Sequence, residues 1–278
     1  VTKLLFEETF RSAKEISRFL EKFREENHHF MDFDLLFRGQ EKVCWKLLPS
    51  ISRFINEPSY IQLLEKKRLT LFKDEMIKNR IFQIISSGKT DIETEWKFIQ
   101  QAQHLGLATR FMDWTIVNKI ALYFATEKEE HDSFDGVIWV YFVKPGSVKN
   151  IVNNDYLLIS PSEYQETIFI NSPILFSEKF KEEFGEHRKN IQRGRFFVQH
   201  YDKAVIPLED QFEHHSFLGK IIIPSYCKKD IRSELIIEDG LLNDGIYAKE
   251  TIIHDDKNEY KIIFEKTKHI VQKLNSIF

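Results

Sequence analysis

The sequence predicts an α+β fold, one domain with a mixed or antiparallel central sheet and helical additions at its N- and C-termini. Two observations carry this. Apolar residues recur at helical spacing through much of the chain up to Ala102, whereas β-branched and aromatic runs dominate from Val137 to Pro224. The two patterns do not alternate as a regular α/β sheet requires.

Residues 7–25 place Phe10, Ala13, Ile16, Phe19, Leu20 and Phe23 at helical spacing between charges, which predicts an amphipathic opening helix. Residues 34–39 form a short apolar segment ending at Gly39, which suits a buried strand. A second helical pattern covers 60–85, with Leu63, Leu64, Leu71, Phe72 and Ile81 available for burial, and Ser86-Ser87-Gly88 stops it. Residues 90–102 read as a third helix and 119–126 as a short fourth.

Val137-Ile138-Trp139-Val140-Tyr141-Phe142-Val143 is a continuous β-branched and aromatic run of the kind found in central strands. Residues 147–185, with Pro161 and Pro173, read as loop-rich. Strands are then predicted at 196–198, 204–208 and 217–224. Helices follow at 227–239 and 259–274, with 246–253 ambiguous between them.

The chain has 278 residues, 42% hydrophobic and 30% charged, at net charge −3 with 25 Phe. That composition belongs to a globular protein with an aromatic core, read as one domain over 1–278 with its centre at about 30–225. A pI near 6.4 lacks the basic excess of a protein held mainly by phosphates. No run approaches the roughly 18 apolar residues of a membrane span, and Glu7-Glu8 come too early for a secretion signal, so a cytoplasmic protein is expected. Cys44 and Cys227 stand alone without metal-ligand spacing, so no metal is expected. The adjacent pairs His28-His29 and His214-His215 are expected at the surface.

Two blocks place polar groups inside apolar surroundings: Leu35-Leu36-Phe37-Arg38-Gly39-Gln40, and residues 103–115, Gln-His-Leu-Gly-Leu-Ala-Thr-Arg-Phe-Met-Asp-Trp-Thr. An unpartnered polar group buried there costs about 1–3 kcal/mol, so something polar should meet these residues. For Arg38 two readings stand side by side. Its fork of donors suits a phosphate or carboxylate, with Gly39 letting backbone approach a ligand; alternatively it holds Asp113 in a structural ion pair. His104 and Thr109 flank Gly106, which can turn both toward one cleft; a His there can bind a ribose, act as a base or satisfy a core carbonyl. Trp114 is expected to pack beneath the site. His187-Arg188-Lys189-Asn190-Ile191-Gln192-Arg193-Gly194-Arg195 is the densest basic stretch and reads equally well as a solvated face.

These blocks, with Trp45, Leu47, Pro49-Ser50-Ile51, Arg53, the 120–125 segment Ile-Ala-Leu-Tyr-Phe-Ala, and later Arg188, Gln192, Gly194 and Phe196, resemble the FRG domain family, named for its Phe-Arg-Gly tripeptide. The order of elements is also similar to that of ADP-ribosyltransferases, where an Arg or His on an early strand meets NAD, a Thr- or Ser-rich strand follows, and a small helix packs behind. That likeness implies NAD as substrate and a macromolecular acceptor, nucleic acid or protein. It implies that Arg38, Gly39, Gln40, His104, Thr109, Arg110 and Asp113 bind NAD, with Asp113 orienting Arg38 or Arg110. Arg38, His104 and Gln192 are the implied catalytic residues. Gln192 stands where such enzymes often carry Glu; Glu183 and Glu186 lie upstream as substitutes. By the same analogy the protein is a toxin or phage-defence effector with an antitoxin partner. The alternative is a non-catalytic module that binds a nucleotide or a protein in the same cleft.

Overall fold

The 137–143 run becomes the spine of the sheet. Strand β4 (Gly136–Val143) is buried at every position, and it lies between β2 (Asp34–Gln40) and β8 (Leu218–Ile223), antiparallel to both. Only a strand with neighbours at both edges and cover on both faces can be apolar throughout. The computed structural model describes residues 4–53, 55, 57–78, 92–104, 106–150, 160–161, 163–164, 168–171, 194–239 and 259–276. The stop at 86–88, the 246–253 segment, Glu183, Glu186, His187, Arg188 and Gln192 lie outside them.

The described strands form one mixed sheet in the order β1-β8-β4-β2-β3-β7-β6-β5, completed by β1 (Glu7–Thr9), β3 (Met112–Thr115), β5 (Val148–Asn150), β6 (Ile168–Asn171) and β7 (Gly194–Val198). The end pairs β1–β8 and β5–β6 are parallel and the pairs between them antiparallel. The architecture is α+β with a mixed sheet.

Helix α1 (Ala13–Glu26) starts later than periodicity predicts, because Ser12 caps it by accepting from the Glu15 amide at 3.2 Å. The residues before the cap instead run beside β8, with Leu5 and Phe10 amides donating to the Leu218 and Ile222 carbonyls. Helices α2 (Pro58–Lys78), α3 (Ile92–His104) and α4 (Asn118–Thr126) follow. The expected strand at 204–208 is a correction. Its place is taken by a helical turn, α5 (Tyr201–Ala204), and a 3-10 turn at Leu208–Asp210. The buried Gln211 amide fixes that path by donating to the Lys203 and Ile206 carbonyls and to Gln199 Oε1. A second turn, α6 (Phe212–His215), buries His214, whose Nδ1 lies 2.8 Å from the Tyr141 hydroxyl. This also corrects the expected surface placement of His214, whereas His28 and His29 are exposed.

Helices α7 (Lys228–Asp239) and α8 (Glu259–Ser276) complete the chain. Lys228 ties α7 to the end of β2: fully buried, it donates to the Glu41, His131 and Phe134 carbonyls at 2.9, 2.8 and 3.2 Å. Such a carbonyl nest satisfies an ammonium that burial otherwise penalises.

One face of the sheet is covered by α1, α4 and α7, whose Ile16, Leu20, Ile120, Ala121, Ile231 and Leu235 pack with Phe37, Ile138, Val140 and Phe142. The other face gathers Leu36, Met112, Trp114, Val137, Trp139, Tyr141 and Phe197 with Leu47 and Leu208 from connecting segments. Because strand side chains alternate, the Phe37-Arg38-Gly39 tripeptide is divided between the faces. Phe37 and Gly39 face α4, while Arg38 faces the opposite side.

The role of Gly39 follows from α4. A Cβ at Gly39 would run into the Ala121 carbonyl, and one at Gly136 would crowd the Ala125 carbonyl, so the two glycines let α4 lie directly on β2 and β4. This is helix packing rather than the ligand approach that the sequence suggested. Gly39→Ala is expected to destabilise the fold by about 2–3 kcal/mol or more. Gly194→Ala, where the nearest atom to the added Cβ is 3.8 Å away, should cost much less. Urea denaturation of both variants checks the contrast.

Candidate functional site at the split in the sheet

The two polar blocks meet where the sheet comes apart. Strand β2 pairs with β4 along its whole length, from Asp34–Val143 to Gln40–Val137, yet it pairs with β3 at one position, Phe37–Thr115. Strand β3 pairs instead with β7 along all four of its residues. Beyond Phe37 the edges of β2 and β3 diverge, and Arg38 reaches across with Nη1 donating to the Asp113 carbonyl. That bond does the work of a missing ladder bond.

Arg38 is half-buried, and its Nε is buried without a hydrogen-bond partner. Burial pulls the guanidinium down to about 10; Asp113 opposes this and Arg53 adds to it by like charge. It therefore remains a cation at neutral pH in a place that disfavours charge. The expected Arg38–Asp113 ion pair takes a different form. Arg38 uses the Asp113 backbone, while the Asp113 carboxylate, on an exposed position of β3, accepts from Gln103 Nε2 at 3.1 Å.

Gln103 is the link that sequence reasoning left without a role. Its Oε1 accepts from the Thr109 hydroxyl at 2.5 Å, so one amide near the end of α3 joins both ends of the 109–113 segment. Thr109 is fully buried, and its hydroxyl also accepts from the Phe111 amide. Its backbone is held in turn by the Pro-Ser-Ile motif. Ser50 Oγ accepts from the Thr109 amide at 3.2 Å, and Ser50 Oγ and the Ile51 amide donate to the Thr109 carbonyl.

On the other side of this segment α8 reaches in. Asn275 Nδ2 donates to the Gly106 carbonyl and its Oδ1 accepts from the Ala108 amide, at 2.9 and 3.4 Å. Gly106 has a φ of 93°, a turn that favours glycine. His104 ends α3 beside Gln103. The hydrogen bonds thus bring Arg38, Gln103, Thr109 and Asp113 into one connected group.

Two expected ligand residues are committed elsewhere. Gln40 accepts from the Trp139 indole at 2.8 Å and donates to the Lys46 carbonyl. Arg110 is completely buried. Its Nε is 3.3 Å from Glu65 Oε2, its guanidinium donates to the Tyr164, Gln199 and Pro161 carbonyls, and it lies over the Tyr201 ring. Glu65 also accepts from the Arg110 amide at 2.7 Å and from the Tyr201 hydroxyl at 2.8 Å. Burial and then Glu65 push that hydroxyl's pKa up, so it remains a donor.

Arg110 therefore belongs to the scaffold, oriented by Glu65 rather than by Asp113. The sequence carried a signal for Glu65, which interrupts the apolar stripe of Ile61, Leu64, Phe72 and Met76 on α2. Trp114 is buried and packs edge-on to Tyr141. Among the described residues no group of three or more His, Cys, Asp or Glu is placed to hold a metal, and no helix is long and apolar enough to cross a membrane.

The fold and site define an α+β protein with a cationic polar network at a split in its central sheet. Residues 33–133 match the family model of the FRG domain, and this stretch contains both polar blocks. The chain matches no curated protein and no solved structure.

Scaffold and site should separate on mutation. Arg110→Met leaves Glu65 buried without its cation and is expected to cost about 3–5 kcal/mol. Arg38→Ala loses one hydrogen bond and an unfavourably buried charge, so its effect should stay within about 1 kcal/mol. Chemical denaturation checks both; equal losses would assign Arg38 to the scaffold as well.

Proposed function

We propose that the chain binds NAD at the split between β2 and β3 and transfers ADP-ribose to a macromolecular acceptor, nucleic acid or protein. One observation supports this above the others. A central-strand arginine lies in the split with a buried, unpartnered Nε, and among the described residues no carboxylate makes an ion pair with it. A guanidinium in that state favours an anionic ligand, because a phosphate would supply the missing acceptor and a negative charge in direct contact.

In this reading Arg38 grips the phosphates and His104 positions the nicotinamide-side ribose. Thr109, Gln103 and Asp113 hold the β3 edge in place. Gln192, with Glu183 or Glu186 nearby in sequence, polarises the ribose as the glycosidic bond breaks and positive charge develops on it. The role of toxin or phage-defence effector, with an antitoxin partner, rests on the resemblance to ADP-ribosyltransferases.

A second reading, a module that binds a nucleotide or a protein without chemistry, also has specific support. The Thr109 hydroxyl and the Asp113 carboxylate are already engaged with Gln103.

Nicotinamide release from NAD, measured with and without RNA, DNA or cell extract, separates the two. The transferase reading expects release that depends on an acceptor, with Gln192→Ala lowering kcat by about 100-fold while NAD binding changes little. Binding without release under every acceptor condition would contradict it.

A further inference from the structure

The segment that holds Thr109 also carries a second arginine. Ser50 and Ile51 are hydrogen-bonded to Thr109, and Arg53 follows directly after this 3-10 turn, Ser50–Ser52. Arg38 is bonded to Asp113, the other end of the same short segment. The 109–113 segment therefore fixes both arginines relative to one another, one on the strand and one on the turn. Their charges repel, since Arg53 lowers the Arg38 pKa.

Two other arginines of the chain are neutralised where they sit. Arg110 has Glu65, and Arg232 has Asp132 at 2.5 Å and Glu129 at 3.7 Å. Among the described residues neither Arg38 nor Arg53 has an ion-pair partner, and the carboxylate that opposes the Arg38 shift, Asp113, is bonded to Gln103. Two guanidiniums without an ion-pair partner among the described residues, attached to the two ends of one short segment, give an anion two forks of donors. Ser52, between the bonded part of the turn and Arg53, adds a buried hydroxyl without a hydrogen-bond partner.

We infer that Arg38 and Arg53 together form an anion site for a ligand with two linked phosphates, Arg38 binding from within the split and Arg53 from its rim. The inference rests on the reading of the split as a ligand site, and it adds Arg53 and a ligand class to that reading. A diphosphate suits two separate forks because each phosphoryl group can accept a bidentate pair. A ligand without an anionic group gains nothing from Arg53.

The test is calorimetric titration of the full chain with ADP, pyrophosphate, AMP and nicotinamide riboside, for wild type, Arg53→Ala and Arg53→Lys. Circular dichroism melting confirms that each variant is folded; Arg53 is exposed, so both should be. Wild type should bind ADP and pyrophosphate more tightly than AMP. Arg53→Ala should weaken ADP and pyrophosphate by about tenfold or more, with partial recovery in Arg53→Lys and no change for nicotinamide riboside. Equal ADP affinity in wild type and Arg53→Ala, or no pyrophosphate binding by wild type, would overturn the inference.

The outcome is separable from the transferase reading. ADP binding that needs both arginines, without nicotinamide release, keeps the anion site and removes the enzyme. Turnover with an unchanged KM in Arg53→Ala does the reverse.

Discussion

Between β2 and β3 the sheet is held by one register pair, Phe37–Thr115, and the candidate site depends on this weak seam. Each strand has a stronger attachment elsewhere. Strand β2 is paired along its length with β4 and pressed by α4 through Gly39, while β3 is paired along its length with β7. Neither can follow the other without giving up its own ladder. The backbone groups left at such an opening must find partners or remain open to solvent or a ligand. Arg38 supplies one partner, and in doing so it places a charge where the sheet would otherwise have a hydrogen bond.

The network behind the seam explains why polar residues are concentrated in two distant stretches of sequence. Gln103 spans Thr109 and Asp113, Ser50 holds Thr109, Asn275 holds the Gly106 turn, and Glu65 with Arg110 anchors the segment below. These bonds rigidify a segment with no helical ladder of its own, and they join four separate parts of the chain. The FRG match ends at residue 133, before β4 begins. The matched region thus contains both sides of the seam, while β4, β7 and β8, which hold β2 and the sheet together, lie outside it.

Much of the fold could be read from the residues themselves. The run at 137–143 was legible as a central strand because its seven residues are all β-branched or aromatic, and the block after Thr115 was legible as a helix from its spacing. Strand β1 was not, since all three of its residues are exposed and two are acidic, leaving no apolar signal. The 204–208 segment has strand composition, but it is overruled by Gln211, whose bonds are tertiary. The association of the two polar blocks was legible from their misplaced polarity. The partners were legible only in part: Asp113 was foreseen for Arg38, though through its carboxylate rather than its carbonyl, whereas Glu65 was not foreseen for Arg110, because that pair joins different elements. Arg110 looks like a ligand residue in sequence and becomes a core residue only when Glu65 is brought beneath it.

The central claim is that the Arg38 guanidinium is kept ready for an anionic ligand. The most direct measurement is the ¹H–¹⁵N resonance of Arg38 Nε, assigned by Arg38→Lys and followed as NAD is added. A saturable shift of this signal, tracking the bound fraction, is the predicted result. NAD binding that moves other resonances and leaves Arg38 Nε unchanged would contradict the account and make Arg38 a bridge within the sheet.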